Sequence, residues 1–307
     1  GHLLVLGASG AGITTALAAL AGSARRAGRD VVVLPESPAD AWGVLDELCA
    51  LPPGAGRPVV VADDLDALLA RFGEDHRHEA VDRLALLLRD GASPVLAGVR
   101  RVAGPVAGLA GLFGTRLVLR QASREDHVVS GADPALHDPA LPPGGGVWRG
   151  MRVQVACGDA LPPPTRPSVP RVRVPPADGL LAVIAGRAGD LARRLRAAGA
   201  AVVQVGSGAS AVASIDALPH GTVLLGDPDA WQADWAVLSA IRRRWPVVLI
   251  GCDSADHRAL LGARRLPPPL APAPEECWLV HDGTTVRAAL SWRRATSDSE
   301  HISSADH

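Results

Sequence analysis

The segment Gly7-Ala8-Ser9-Gly10-Ala11-Gly12-Ile13-Thr14-Thr15 constrains the fold more than any other part of the chain. The apolar run Leu3 to Leu6 leads into it, and the Ala/Leu-rich stretch Thr14 to Ala27 leads out. A strand, a glycine loop and a helix in that order turn backbone N–H groups inward around an anion, at the positive end of the helix dipole. The spacing fits G-x-x-x-x-G-K-[ST], with Ile13 in the place of the lysine. Gly7, Ser9, Gly10, Ala11, Gly12, Ile13, Thr14 and Thr15 are therefore the candidate nucleotide contacts, and the Thr14 hydroxyl is a candidate Mg²⁺ ligand. Ile13 removes a cation from the point where phosphoryl transfer builds negative charge. No lysine exists elsewhere in the chain, and no arginine is close in sequence. The bland alternative is an ordinary glycine-rich turn. A dinucleotide fold also wants glycine here, and Glu36, just past the second strand, keeps that reading open.

The rest of the first half alternates short buried strands with helices. Asp30 to Leu34, Pro58 to Ala62, Pro94 to Val99 and Arg116 to Arg120 read as strands. Trp42 to Ala50 and His78 to Arg89 read as helices. That alternation implies a mostly parallel sheet in an α/β fold. Val147 to Ala156 is expected to add an antiparallel edge. The third strand delivers Asp63 and Asp64 to its C-terminal end. Asp63 suits a magnesium-bound water, and Asp64 could orient an attacking water; the competing role for either is capping the helix that starts near Leu65. Arg100 closes the fourth strand and is a candidate γ-phosphate sensor, or one of a solvated pair with Arg101.

The second half repeats the plan. Leu180 to Ile184, Ala201 to Val205, Thr222 to Leu225 and Pro246 to Ile250 read as strands, with helices at Arg187 to Ala198 and Ala230 to Arg244. A terminal hairpin is expected around Asp282-Gly283. Matched in order, the strand ending Asp63-Asp64 answers the one ending Gly226-Asp227, and Ser93 to Gly98 answers Trp245 to Ile250. A duplicated unit is expected. Only Ala185-Gly186-Arg187-Ala188-Gly189 follows the first strand of this half, with no Ser or Thr to hold a metal. The half reads as a docking or structural module. Trp231 and Trp235 lie four residues apart, on one face of the expected helix. The division expected is 1–160, a proline-rich linker over 161–170, a second domain at 170–292, and a disordered polar tail at 295–307.

Composition limits the partners. Net charge is -1, and all 31 basic residues counted with lysine are arginine. A chain coated for duplex binding wants a concentrated basic surface. The four cysteines are far apart and have no CxxC spacing, which suggests neither a disulfide scaffold nor a zinc site. No apolar run reaches the ~18 residues of a membrane span.

The loop at 7–15 and the strand ends at 59–69 and 94–101 resemble the FtsK/SpoIIIE family of ring-forming motor ATPases, as do the stretches 116–131 and 141–156. More narrowly they are similar to the tandem ATPase modules of actinobacterial type VII (ESX) secretion, with 226–235 and 276–283 resembling a further, decayed module. The resemblance implies a P-loop NTPase (RecA-like) domain followed by a second degenerate RecA-like domain. It implies ATP and Mg²⁺ as ligands, with Gly12 and Thr14 on phosphate and magnesium. Asp63 takes the magnesium-side carboxylate position and Asp64 the catalytic acidic place. It implies a cytoplasmic location, as the soluble part of a membrane-associated complex. The partners implied are neighbouring ATPase modules, a hexameric ring, and signal peptides of exported proteins, with DNA as the runner-up substrate. Two departures favour a regulatory or docking module over a motor: Ile13, and the absence of arginine from 142–146. The alternatives are a slow but active DNA or protein translocase motor and, more weakly, a stand-alone regulator.

Overall fold

A computed structural model describes residues 1–52, 56–90, 93–206 and 215–292. The tail expected at 295–307 lies outside the described residues. The chain forms two compact units, Gly1–Ser168 and Val169–His307.

The first unit opens with β1 (Leu3–Leu6), α1 (Ile13–Arg26), β2 (Val31–Val33) and α2 (Pro38–Cys49). β3 (Val59–Ala62), α3 (Leu65–Arg71), α4 (Glu74–Asp90) and β4 (Val95–Val99) follow. α5 (Pro105–Ala110), β5 (Thr115–Leu119), α6 (Arg124–Val129), β6 (Gly145–Trp148) and β7 (Met151–Gln154) complete it. The sheet order is β2-β3-β4-β1-β5-β6-β7, parallel through β5 and antiparallel beyond. Every residue of β3 and β4 is buried, as expected of parallel strands covered by helices on both faces. Strand alternation splits their side chains between two cores. Leu4, Leu6 and Val60 face one side with Trp42 and Leu84; Val5 and Val61 face the other with Leu17 and Ala21.

Local chemistry sets the ends. Ser37 caps α2, accepting from the Asp40 N–H ahead of Pro38 at the first helical position. The expected single edge over Val147 to Ala156 is a two-stranded hairpin, β6 and β7. It turns at Arg149 and Gly150, both at positive φ, the conformation a tight two-residue hairpin requires. The two units divide after Ser168, inside the proline-rich stretch 161–170, whose first part packs on the first unit. Thr165 donates its N–H to the Val33 carbonyl (2.8 Å) and accepts from the Val33 N–H through its hydroxyl (3.2 Å). That contact satisfies the open edge of β2.

The second unit runs β8 (Arg171–Val174), β9 (Leu180–Ala185), α7 (Ala188–Ala197), β10 (Ala201–Gln204) and β11 (Thr222–Gly226). α8 (Pro228–Ala233), α9 (Trp235–Ile241), β12 (Val247–Ile250), α10 (Ser254–Leu261), β13 (Glu276–His281) and β14 (Thr284–Trp292) follow. Its sheet order is β10-β11-β9-β12-β13-β14-β8. The expected hairpin is present, turning at Asp282 and Gly283.

Both units are mixed, mostly parallel sheets with flanking helices, but they are not a one-to-one repeat. In the first, β4 lies between the loop strand β1 and the acidic strand β3. In the second, β11 pairs directly with β9. β12 pairs parallel with β9 and leads into two antiparallel strands, the place of β5 rather than β4. The matching of Ser93 to Gly98 with Trp245 to Ile250 is therefore corrected. Short valine-rich strands resemble one another in sequence, and only pairing separates them. Among the described residues the second unit has no counterpart of β4 in its sheet.

Candidate phosphate-loop site

The C-terminal ends of β1, β3, β4 and β5 converge, which is where ligands bind in open α/β sheets. Between β1 and α1 the loop folds on itself: the Ala11 N–H donates to the Ala8 carbonyl at 3.0 Å. Gly10 and Gly12 have φ of 73° and 94°, left-handed values that favour glycine. Gly12 also faces another backbone. A Cβ there would lie 2.9 Å from the Gly144 nitrogen, and the Gly144 N–H donates to the Ala11 carbonyl at 2.8 Å. The stretch 142–146 thus seats its backbone against the phosphate loop.

Ile13, first residue of α1, turns inward. It packs on the core of Val5, Ala16 and Leu17 and against Gly98 of β4, where a Cβ would come 2.5 Å from its Cγ2. Thr14 and Thr15 are exposed. The Thr14 hydroxyl lies beside the Asp63 carboxylate and favours its ionised form. Burial, followed by the charge of Asp64, holds the Asp63 carboxyl above its ordinary range; Thr14 opposes that. Asp63 Oδ1 also accepts from the Asp64 N–H (3.1 Å). Asp64 starts α3 in a left-handed conformation (φ 47°) with no side-chain cap bond, so capping does not occupy it. Its carboxylate instead lies 3.4 Å from the Arg100 guanidinium. The Arg100 N–H donates to Asp66 Oδ2 at 3.4 Å.

The fold thus gathers Gly7 to Thr15, Asp63, Asp64 and Arg100 at one end of one sheet. It disfavours the dinucleotide alternative, because β2 is separated from β1 by two strands, whereas that fold pairs its first two strands directly. Glu36 is exposed and pairs with Arg71 at 3.3 Å. Sequence reasoning missed Arg120. Its residue carbonyl accepts from the Ala8 N–H (3.0 Å), and its guanidinium donates to the carbonyls of Leu141 (3.2 Å) and Gly10 (3.4 Å). The signal was available in Leu117-Val118-Leu119-Arg120, an apolar strand ending in a cation.

Among the described residues of the second unit, no such loop follows β9. Two residues, Gly186 and Arg187, separate β9 from α7, and the Gly186 N–H donates to the Ile250 carbonyl. Asp227 accepts from the Ala230 N–H as the N-cap of α8. Burial pushes the thiols of Cys252 and Cys277 up to about 12, which removes them as thiolate nucleophiles. The helix expected over Ala230 to Arg244 is two helices broken at Asp234. Trp231 is fully buried and Trp235 is 45% exposed, so they do not share a face. Among the described residues no three or more His, Cys, Asp or Glu are grouped to hold a metal, and no helix is long and apolar enough to cross a membrane.

The strand arrangement has solved counterparts. The two ATPase domains 2 and 3 of EccC from Thermomonospora curvata, in complex with a signal sequence peptide, superpose with a TM-score of 0.51 at 13% identity. The match covers 96% of this chain and 88% of that one. The fold is shared with tandem type VII secretion ATPase domains. The cytoplasmic domain of the same EccC, described as a type VII secretion ATPase, matches equally well (TM-score 0.51, 13% identity), and this chain spans 57% of its length. No protein-family model matches the chain, and no curated protein matches it.

Proposed function

We propose that the chain is a degenerate ATPase module of the FtsK/SpoIIIE type, with weak or absent hydrolysis and a structural, regulatory or substrate-docking role in a type VII-like translocase. The observation that carries this reading is the inward Ile13 beneath an otherwise complete phosphate loop. The glycines, Thr14 beside Asp63 and the Asp64–Arg100 pair fit a nucleotide with its metal. Thr14 and Asp63 would hold Mg²⁺, which typically takes one or two protein oxygens and completes its shell with phosphate and water. The metal would neutralise phosphate charge. Asp64 would orient water, and Arg100 would leave Asp64 for the γ-phosphate.

Hydrolysis needs charge stabilisation at the transferred group, and Ile13 supplies none. Shape does not need that charge, so the module keeps its packing and works by contact. Neighbouring ATPase modules, in a ring of six, and signal peptides of exported proteins are the partners. The EccC structure that shares this fold holds a signal sequence peptide, which supports the peptide over DNA. The retained Asp63, Asp64 and Arg100 favour a slow motor as the second reading.

A coupled ATPase assay across a protein concentration series tests the choice. Turnover is expected below about 0.1 per second, against typical enzyme values of 1 per second or more. Faster turnover that disappears in Asp64→Ala would establish the motor instead.

A further inference from the structure

We infer that Arg120 supplies the positive charge that Ile13 denies the loop, so that the phosphate chain of a nucleoside di- or triphosphate is held from β5 instead of from α1. The inference rests on the nucleotide-binding reading above and assigns its cation.

β5 pairs with β1, so its end lies beside the loop. The Arg120 backbone is tied on both sides: its carbonyl accepts from Ala8, and its N–H donates to the Gly145 carbonyl at 3.1 Å. The half-buried side chain returns over the loop tip. Nη2 sits 3.4 Å from the Gly10 oxygen and 4.0 Å from where a Gly10 Cβ would be. Among the described residues Arg120 has no carboxylate partner; its two hydrogen bonds go to carbonyls. A guanidinium has five N–H donors in a rigid fork, so it can keep these bonds and still reach an anion. Arg100, by contrast, rests 3.4 Å from the Asp64 carboxylate.

The neighbouring side chain points to a ligand independently. Gln121 is 4% exposed, and its Nε2 has no hydrogen-bond partner. It lines a cavity of about 420 Å³ together with Ala8, Ser9, Arg100 and Arg101 and the carboxylates of Asp66 and Asp126. An unpaired buried amide donor is unfavourable, and an anionic oxygen in that cavity would satisfy it. A guanidinium at the loop tip and an unpaired amide donor in the cavity beside the loop are recognition chemistry for a phosphate chain.

The alternative role for Arg120 is a tie between the loop and Leu141. Charge rescue separates the two. The full chain is titrated calorimetrically with ADP and with ATP, each with Mg²⁺. Arg120→Met, which keeps length and removes charge, is expected to weaken binding by about tenfold or more, the size of a lost charge-assisted bond. Arg120→Lys is expected to retain part of the affinity. Ile13→Lys placed in the Arg120→Met background is expected to restore it, because the charge returns from the α1 side. A loss that Ile13→Lys fails to rescue makes Arg120 a structural tie and overturns the inference. Parent-like affinity in Arg120→Met, with binding abolished by Gly12→Val, also overturns it while leaving the nucleotide reading intact. No binding by the parent or by Ile13→Lys overturns both.

Discussion

Ile13 and Gly98 are a fitted pair: a Cβ on Gly98 would lie 2.5 Å from Ile13 Cγ2, 2.9 Å from Leu17 Cδ1 and 3.3 Å from Asp63 Oδ1. The isoleucine in the lysine's place is therefore accommodated by a bare backbone on the neighbouring strand β4. Gly98→Ala should destabilise the first unit by about 1–3 kcal/mol, the usual penalty for overpacking. Ile13→Ala creates the missing space. The double variant should lose less than the sum of the single losses, since contacting residues couple. Urea midpoints of the four proteins measure this, and additive losses would contradict the packing.

Asp63 makes stability fall with rising pH. Its folded carboxyl is held above the ordinary value of 3.8, first by burial and then by the nearby Asp64 charge. The folded state thus binds the proton more tightly than the unfolded state. The contribution is fully present below 3.8 and is lost as pH rises through the raised folded value. Asp63→Asn keeps an oxygen for Thr14 and removes the titration. It should gain stability relative to the parent as pH rises through that window. Mg²⁺ with nucleotide favours the ionised form and should narrow the gap. A pH series of unfolding curves, with and without the ligands, reads both effects.

His257 acts in the opposite sense in the second unit. It is 1% exposed, with Nε2 2.9 Å from the Thr285 hydroxyl and its ring against Trp278. Burial lowers its pKa below 6.5, and the charges of Arg242 and Arg258 add to this. The unfolded state then binds the proton more readily. Stability is present above 6.5 and is lost as pH falls through the depressed folded value. His257→Gln should flatten the pH dependence of the unfolding midpoint in that range. An unchanged slope would place the acid sensitivity elsewhere.

Much of this fold is legible in the sequence. β3 and β4 are runs of small and β-branched residues buried on both faces, and such runs announce parallel strands without an alignment. The loop at 7–15 carried its own context of strand and helix. The role of β12 was not legible, because Pro246 to Ile250 and Pro94 to Gly98 have the same local pattern and differ only in their neighbours. Nor was Arg120, because it is more than a hundred residues from the loop in sequence and β5 reaches β1 only through the sheet. The break at Asp234 was hidden by Trp231, Trp235, Leu238 and Ile241, which continue a helical period across it.

That break sets up the last contrast. The helix kinks at Asp234, whose φ of -99° and ψ of 41° end α8 one residue before α9 begins. Trp231 is turned into the core of Ile184, Leu224 and Leu238, where its indole N–H donates to the Val183 carbonyl at 3.0 Å. Trp235 stays 45% exposed. Trp231→Ala should therefore cost about 3–5 kcal/mol, the range for deleting a buried aromatic. Trp231→Phe should cost less, keeping the ring and losing the hydrogen bond, at about 1–3 kcal/mol for a partner left unpaired. Trp235→Ala should change stability by less than about 0.5 kcal/mol, as at other surface positions. Denaturant unfolding of the three variants decides it. Equal losses at both tryptophans would mean that one continuous helix buries them together and that the break at Asp234 is wrong.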